Sequence, residues 1–314
     1  MDFRKLIKFG NSSFVISLPK AWVEKNGLKK GDVVSVEQSG KNELLVLPKS
    51  RPNRELTETT INIDDLSGTE GVRTLIISAY MKDYDIINIV GKDLVKKSKD
   101  IRDYFQELAS IEIVEQSPKK IVARCFLDPS NLSVPSLLRR MDVMTHSMLN
   151  DAELSIVSEN MGEYVYQKEE DVTRLSFMIF KVLRRALVEP ELASKINLDH
   201  SAILQMWCVT NELENIADQA KRICRHLGKE GAKKPKELEE LFKKIIELYA
   251  ATMKVYHTSD QASAVKVLQS RDRIMDDSKY YLEVHMDPIT VSIVEKVRRI
   301  VVHLANIAKI VVDA

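Results

Sequence analysis

One stretch of 29 residues, DHSAILQMWCVTNELENIADQAKRICRHL from Asp199 to Leu227, does most to limit what this chain can fold into. Leu213, Ala217, Ala220, Cys224 and Leu227 recur at three-four spacing and so line one stripe of a helix that needs other helices packed against it. Asp199 stands where an N-cap is expected and Gly228 where the helix should stop. Beside the stripe lie Glu214 and Asp218, two like charges one turn apart, a pairing that weakens a helix unless cations are near. Two kinds of cation meet that need. Lys221 and Arg222 are within reach on the same helix, and a metal ion held by carboxylates of facing helices is the other.

The surrounding sequence supplies the partner helices. From Val134 onward nearly everything has helical period, and Val134, Leu137, Met141, Met144 and Met148 share one stripe, where the methionines read as core. A second helix precedes Glu189-Pro190, and the Asp199 helix closes a set of three. A second set follows Gly231: one helix begins at Pro235, with Leu238, Leu241, Ile245 and Leu248 inward, another at Ser259, and the last at Asp287-Pro288. LENIADQAKRI (213 to 223) aligns with VRRIVVHLANI (297 to 307) at an offset of 84, so the two sets are expected to be tandem three-helix bundles.

Residues 1 to 48 have another texture. FVISL, Phe14 to Leu18, alternates like a strand, KAWVEKN after Pro19 reads as a short helix ending at Gly27, and GDVVSVEQ and ELLVLP flank a hairpin signal at Ser39 to Asn42. Fewer than fifty residues bury little core, so this module is expected to complete itself with a second copy, as a homodimer. PKSRPNREL, 49 to 57, reads as a linker. Between 58 and 128 the order is βαβαββ, with no phosphate-cradling glycine pattern, which predicts a small mixed sheet covered by two helices, serving to dimerise or space the other parts in preference to holding a small ligand. The fold class is thus multidomain α+β: residues 1–48, 58–128 and 133–314, the last divided into repeats 133–228 and 235–314.

Net charge is +1, which says nothing of partners until it is read locally. Residues 1 to 30 hold seven bases (Arg4, Lys5, Lys8, Lys20, Lys25, Lys29 and Lys30) against two acids, and a dimer doubles that surplus along a duplex. Asn11, Ser12 and Ser13 add donors for phosphates or base edges. Cys125, Cys208 and Cys224 form no CxxC pair and read as reduced, buried thiols. The N-terminus has no signal-peptide apolar region and no 18-residue apolar run occurs, so a cytoplasmic protein without membrane insertion is expected. No nucleophile context, HExxH or P-loop is present, which argues against an enzyme.

Two resemblances sharpen this. LENIADQAKRI, Leu213 to Ile223, with KEEDVTRLSFMIFKVLRRAL, Lys168 to Leu187, before it, resembles the PhoU phosphate-regulation family over roughly residues 133 to 314. KFGNSSFVISLPKAW…LKKGDVV…LLVLP, Lys8 to Pro48, resembles the AbrB/MazE/SpoVT swapped-hairpin family of DNA-binding domains, some members of which bind toxins instead. The first resemblance implies a divalent or iron cation at Glu214 and Asp218 with Glu169 from the preceding helix, and a second set at Asp272 and Asp276. The sequence departs from that pattern: Thr173 replaces an acid in the first repeat, and Arg298 and Val302 replace both acids on the last helix, where Arg298 is placed to neutralise Asp272 or Asp276 instead. His303 stands at a family His position but, without those acids, reads as a surface or core residue.

Together the resemblances imply a DNA-binding transcription regulator of phosphate uptake, with Arg4, Lys5, Lys8, Asn11, Ser12, Ser13 and Lys20 on double-stranded DNA. Its bundles would receive the signal from a phosphate transporter's ATPase or another signalling protein. Two other readings remain: an adaptor that restrains a phosphate transporter by protein contact, and a metal-storing helical protein.

Overall fold

The computed structural model describes residues 3–39, 43–48, 56–66, 68–157, 162–228 and 236–313. The chain divides into two compact units, 1–56 and 57–314. The hairpin turn expected at 40–42, most of the expected linker, and the expected starts at Gly231 and Pro235 lie outside the described residues.

Among its described residues the first unit holds two antiparallel strand pairs and one helix. β1 (Ile7–Phe9) pairs with β2 (Ser13–Val15), Ile7 opposite Val15 and Phe9 opposite Ser13. The strand read at Phe14 to Leu18 is therefore shorter and starts earlier, because the three residues of β1 are all it has to pair with. Gly10 turns this hairpin at φ +69, a conformation open to glycine. α1 (Lys20–Lys25) follows Pro19, and Gly27, at φ +64, leads the chain out of it. β3 (Val34–Ser39) and β4 (Glu43–Pro48) pair along their full length.

The second unit opens with a four-stranded mixed sheet. β5 (Glu58–Asn62) and β6 (Ile86–Val90) are parallel, joined through α2 (Glu70–Met81). α3 (Leu94–Gln106) leads to β7 (Ile111–Gln116) and β8 (Lys120–Cys125), an antiparallel pair whose β8 inserts beside β6, giving the order β5-β6-β8-β7. α2 packs on β5 and β6, and α3 packs on β7 and on α2, so the helices form one layer. Val72, Ile76 and Tyr80 of α2 and Ile101 and Phe105 of α3 bury against Ile87, Ile89 and Ile121.

Among the described residues seven helices follow. α4 (Val134–Val157), α5 (Gly162–Val188) and α7 (His200–Leu227) make the first set of three, with the short α6 (Pro190–Lys195), unexpected from the sequence, between α5 and α7. α8 (Lys236–Thr258), α9 (Gln261–Val284) and α10 (Pro288–Val312) make the second. The sets lie side by side, α7 against α10 and α4 against α8, and share one apolar core from Val134 to Val311. Asp199 caps α7 through the Ala202 N–H at 2.7 Å, and Asp287 caps α10 through Thr290 N–H at 3.0 Å. α9 is capped by Asp260, one residue beyond the start read at Ser259.

The sheet is fastened to the helices at α5. Asp83, at φ +65 just past α2, receives Lys181 Nζ at 2.9 Å and Arg185 Nε at 3.7 Å. Lys181 also donates to the Tyr80 carbonyl at 3.1 Å and is almost fully buried, while Phe177, one turn earlier on α5, packs into the sheet's core.

Candidate functional site

In the first unit, alternation along β1 puts Lys8 on one face and Ile7 and Phe9 on the other. Lys8 and Lys5 are exposed and have no carboxylate partner among the described residues. Arg4, also exposed, makes an interaction of its own. Asn11 and Ser12 form the tip of the β1-β2 turn and Ser13 opens β2, so the three small polar residues stand together at one end of the hairpin. Lys20 begins α1 and lies 3.6 Å from Glu24, an exposed i,i+4 pair that leaves its donors accessible to solvent.

The apolar residues of this unit have little to pack against. Phe3, Leu6, Ile7, Phe9, Phe14, Ile16, Val33, Val36 and Leu44 are all exposed, Phe9 at 71%, while among this unit's described residues Leu47 and Pro48 are buried. An exposed apolar surface of this kind marks an interaction face.

The second site lies along α5 and α7. Glu169, Glu214 and Asp218 are brought into one seam, and so is Lys221. The Lys221 ammonium is 2.6 Å from Glu169 Oε1 and 3.8 Å from Asp218 Oδ1, and Arg222 Nε holds the other Asp218 oxygen at 2.6 Å. Burial pushes the Glu214 carboxyl above the usual carboxylate range, Asp218 and Glu169 push it the same way, and Lys221 and His303 pull it back. Around the seam, Lys168 pairs with Asp151 of α4, and Arg225 donates to Tyr166 Oη at 3.1 Å. These carboxylates as placed do not fit a metal ion, because the Lys221 ammonium already pairs with Glu169 and Asp218. Among the described residues no group of three or more His, Cys, Asp and Glu is arranged to hold one.

The expected second set lies on the exposed side of α9. Asp272 and Asp276 are exposed on α9, with Asp272 against Arg271 at 3.1 Å. Arg298 neutralises neither of them: its Nη1 binds Glu295 Oε1 at 2.8 Å, a partner one turn earlier on α10 and therefore always within reach. His303, read as a surface or core residue, holds Glu212 Oε2 at 2.6 Å through Nδ1, and Asn306 donates to the other Glu212 oxygen at 3.2 Å. A further cross-set contact joins His257 Nε2 to Asp142 Oδ2 at 2.8 Å, with Tyr249 Oη donating to Asp142 Oδ1 at 3.0 Å. Sequence reasoning did not single out Glu212 or Asp142. Neither belongs to a motif, and their partners are about a hundred residues away.

Comparison with known proteins adds to this geometry. A family model described as "Antidote-toxin recognition MazE, bacterial antitoxin" matches residues 7–54, and one described as "PhoU domain" matches residues 138–227. Among solved structures, PhoU from Pseudomonas aeruginosa is 18% identical with a TM-score of 0.48, the match covering 57% of this chain and 93% of that one. The phosphate transport system regulatory protein PhoU from Streptococcus pneumoniae is 15% identical with a TM-score of 0.45, covering 57% and 88%. No curated protein matches. Among the described residues no helix is long and apolar enough to cross a membrane. The chain thus carries a match to the MazE model at its N-terminal end and a match to the PhoU domain model over its first three-helix set.

Proposed function

We propose that this chain is a homodimeric transcription regulator of phosphate uptake. Its N-terminal domain grips duplex DNA, and its helical region receives the phosphate-status signal from a transporter ATPase or another signalling protein. The observation that carries this reading is the presence, on one chain, of a MazE-type domain with an open basic face and a PhoU domain. Both matched domains are of non-enzymatic kinds, which supports a regulator over a catalyst.

The physical case for DNA is local. Arg4, Lys5, Lys8 and Lys20 are exposed cations that would replace condensed counterions on the phosphates, and Asn11, Ser12 and Ser13 offer donors at the hairpin end. The exposed apolar residues of the same unit support a second copy, since burying them is what a module of this size needs to hold together. Toxin binding is the rival use of a MazE-type domain. It fits less well here, because residues 57–314 are a folded sheet and helix bundle in place of a short antitoxin tail.

The test is reversal of Arg4, Lys5 and Lys8 to Glu in the full chain, read by fluorescence anisotropy on the DNA upstream of its own gene. The expected result is a loss of affinity of at least ~100-fold, with the log K against log salt slope flattened by about 0.9 for each phosphate no longer neutralised. An adaptor that works by protein contact alone would bind such DNA no better before the change than after it.

A further inference from the structure

The seam between α5 and α7 has the donor set of a cation site and already contains a cation. Glu169 comes from α5, and Glu214 and Asp218 from successive turns of α7, hard oxygen donors of the kind a metal takes, though as placed they are not grouped to hold one. Lys221 is one turn beyond Asp218, so its side chain runs along the same face, and only 18% of it is exposed. Its ammonium bonds across to Glu169 at 2.6 Å and lies 3.8 Å from Asp218, whose remaining oxygen is held by Arg222. A metal entering here would have to displace a charged hydrogen bond between helices and then accept Lys221 as a like-charged neighbour.

We infer that the Lys221 ammonium is a built-in replacement for a metal ion, tying α5 to α7 through Glu169 and Asp218, so that the helical region works without a resident metal. A lysine ammonium is a point charge with three donors that does not exchange with solvent ions. It makes the link between these helices independent of metal supply. The inference rests on the α5–α7 geometry alone and stands whether or not the N-terminal unit binds DNA.

The test uses the full chain stripped with chelator and titrated calorimetrically with Mn²⁺ and with Zn²⁺. The parent protein is expected to show no saturable uptake that Glu214→Gln removes. Lys221→Met, which keeps the aliphatic stem and deletes the charge, is expected to take up one ion per chain saturably, and adding Glu214→Gln should abolish that uptake. Stoichiometric uptake by the parent that Glu214→Gln removes would overturn the inference, and so would a folded Lys221→Met protein that gains none. If Lys221→Met does not fold, Lys221→Gln is used. If that variant also fails, recovery of helical circular dichroism on adding Mn²⁺ supports the inference, and no recovery overturns it.

Discussion

Replacing Lys181 by Met is expected to lower the unfolding free energy by about 3 kcal/mol, the low end for breaking a buried ion pair from one side. Methionine fills nearly the same space, so the loss is electrostatic. Asp83 and the Tyr80 carbonyl keep their places at the end of α2 but lose the ammonium that answers them. The low end applies because Arg185 remains 3.7 Å from Asp83. The double change Lys181→Met with Asp83→Asn should cost less than the sum of the two singles, since the second removes the charge the first strands. Urea unfolding of the four proteins checks both statements. Additive losses would mean that the two groups do not act as a pair and that Phe177 and its neighbours hold the sheet to α5 by apolar packing.

A larger effect is expected from Ile7→Asp in the N-terminal unit. Ile7, Phe9 and Val15 occupy one face of the β1-β2 hairpin and are exposed within the single chain. Full burial of an isoleucine stabilises by ~1.5–3 kcal/mol, and a two-fold dimer forfeits that burial twice. The change should therefore weaken self-association by about 3–6 kcal/mol per dimer, or roughly a hundredfold to ten-thousandfold in dissociation constant. Sedimentation equilibrium reads it directly. An unchanged association constant, or no association to weaken, would contradict the proposed pairing of two copies through this face.

The fold was legible wherever local rules decide it. Capping by Asp199, the start of the last helix at Asp287-Pro288, the three-four stripes of α4, α7 and α8, and all six elements of the sheet domain in their order could be read from spacing alone. What stayed hidden depended on partners distant in sequence. The insertion of β8 between β6 and β7 is a long-range choice that no hairpin signal contains. β1 is too short, and too interrupted by Lys8, to show a period. Lys181 sits in KVLRRAL and looks like one more solvated base, yet tertiary packing closes over it.

The candidate site divided along the same line. The sequence brought Glu214 and Asp218 together because one helix carries both, and it offered Lys221 and Arg222 beside a metal as the compensating cation. That Lys221 reaches Glu169 depends on how α5 docks on α7. Arg298 went to Glu295 because an i,i+3 partner costs less order than one on another helix. At the N-terminal end the charge surplus was visible at once, since it needs only counting.

The central claim is that this chain reads DNA through its first unit and carries the PhoU domain behind it. The most direct measurement is anisotropy binding of the full chain, and of a chain lacking residues 1–56, to the DNA upstream of its own gene and to a scrambled duplex, at about 50 and 200 mM salt. The account predicts tight binding by the full chain that prefers its own sequence, weakens steeply with salt and disappears on truncation. Absence of binding by the full chain to this DNA and to the promoters of phosphate-transport genes would contradict it.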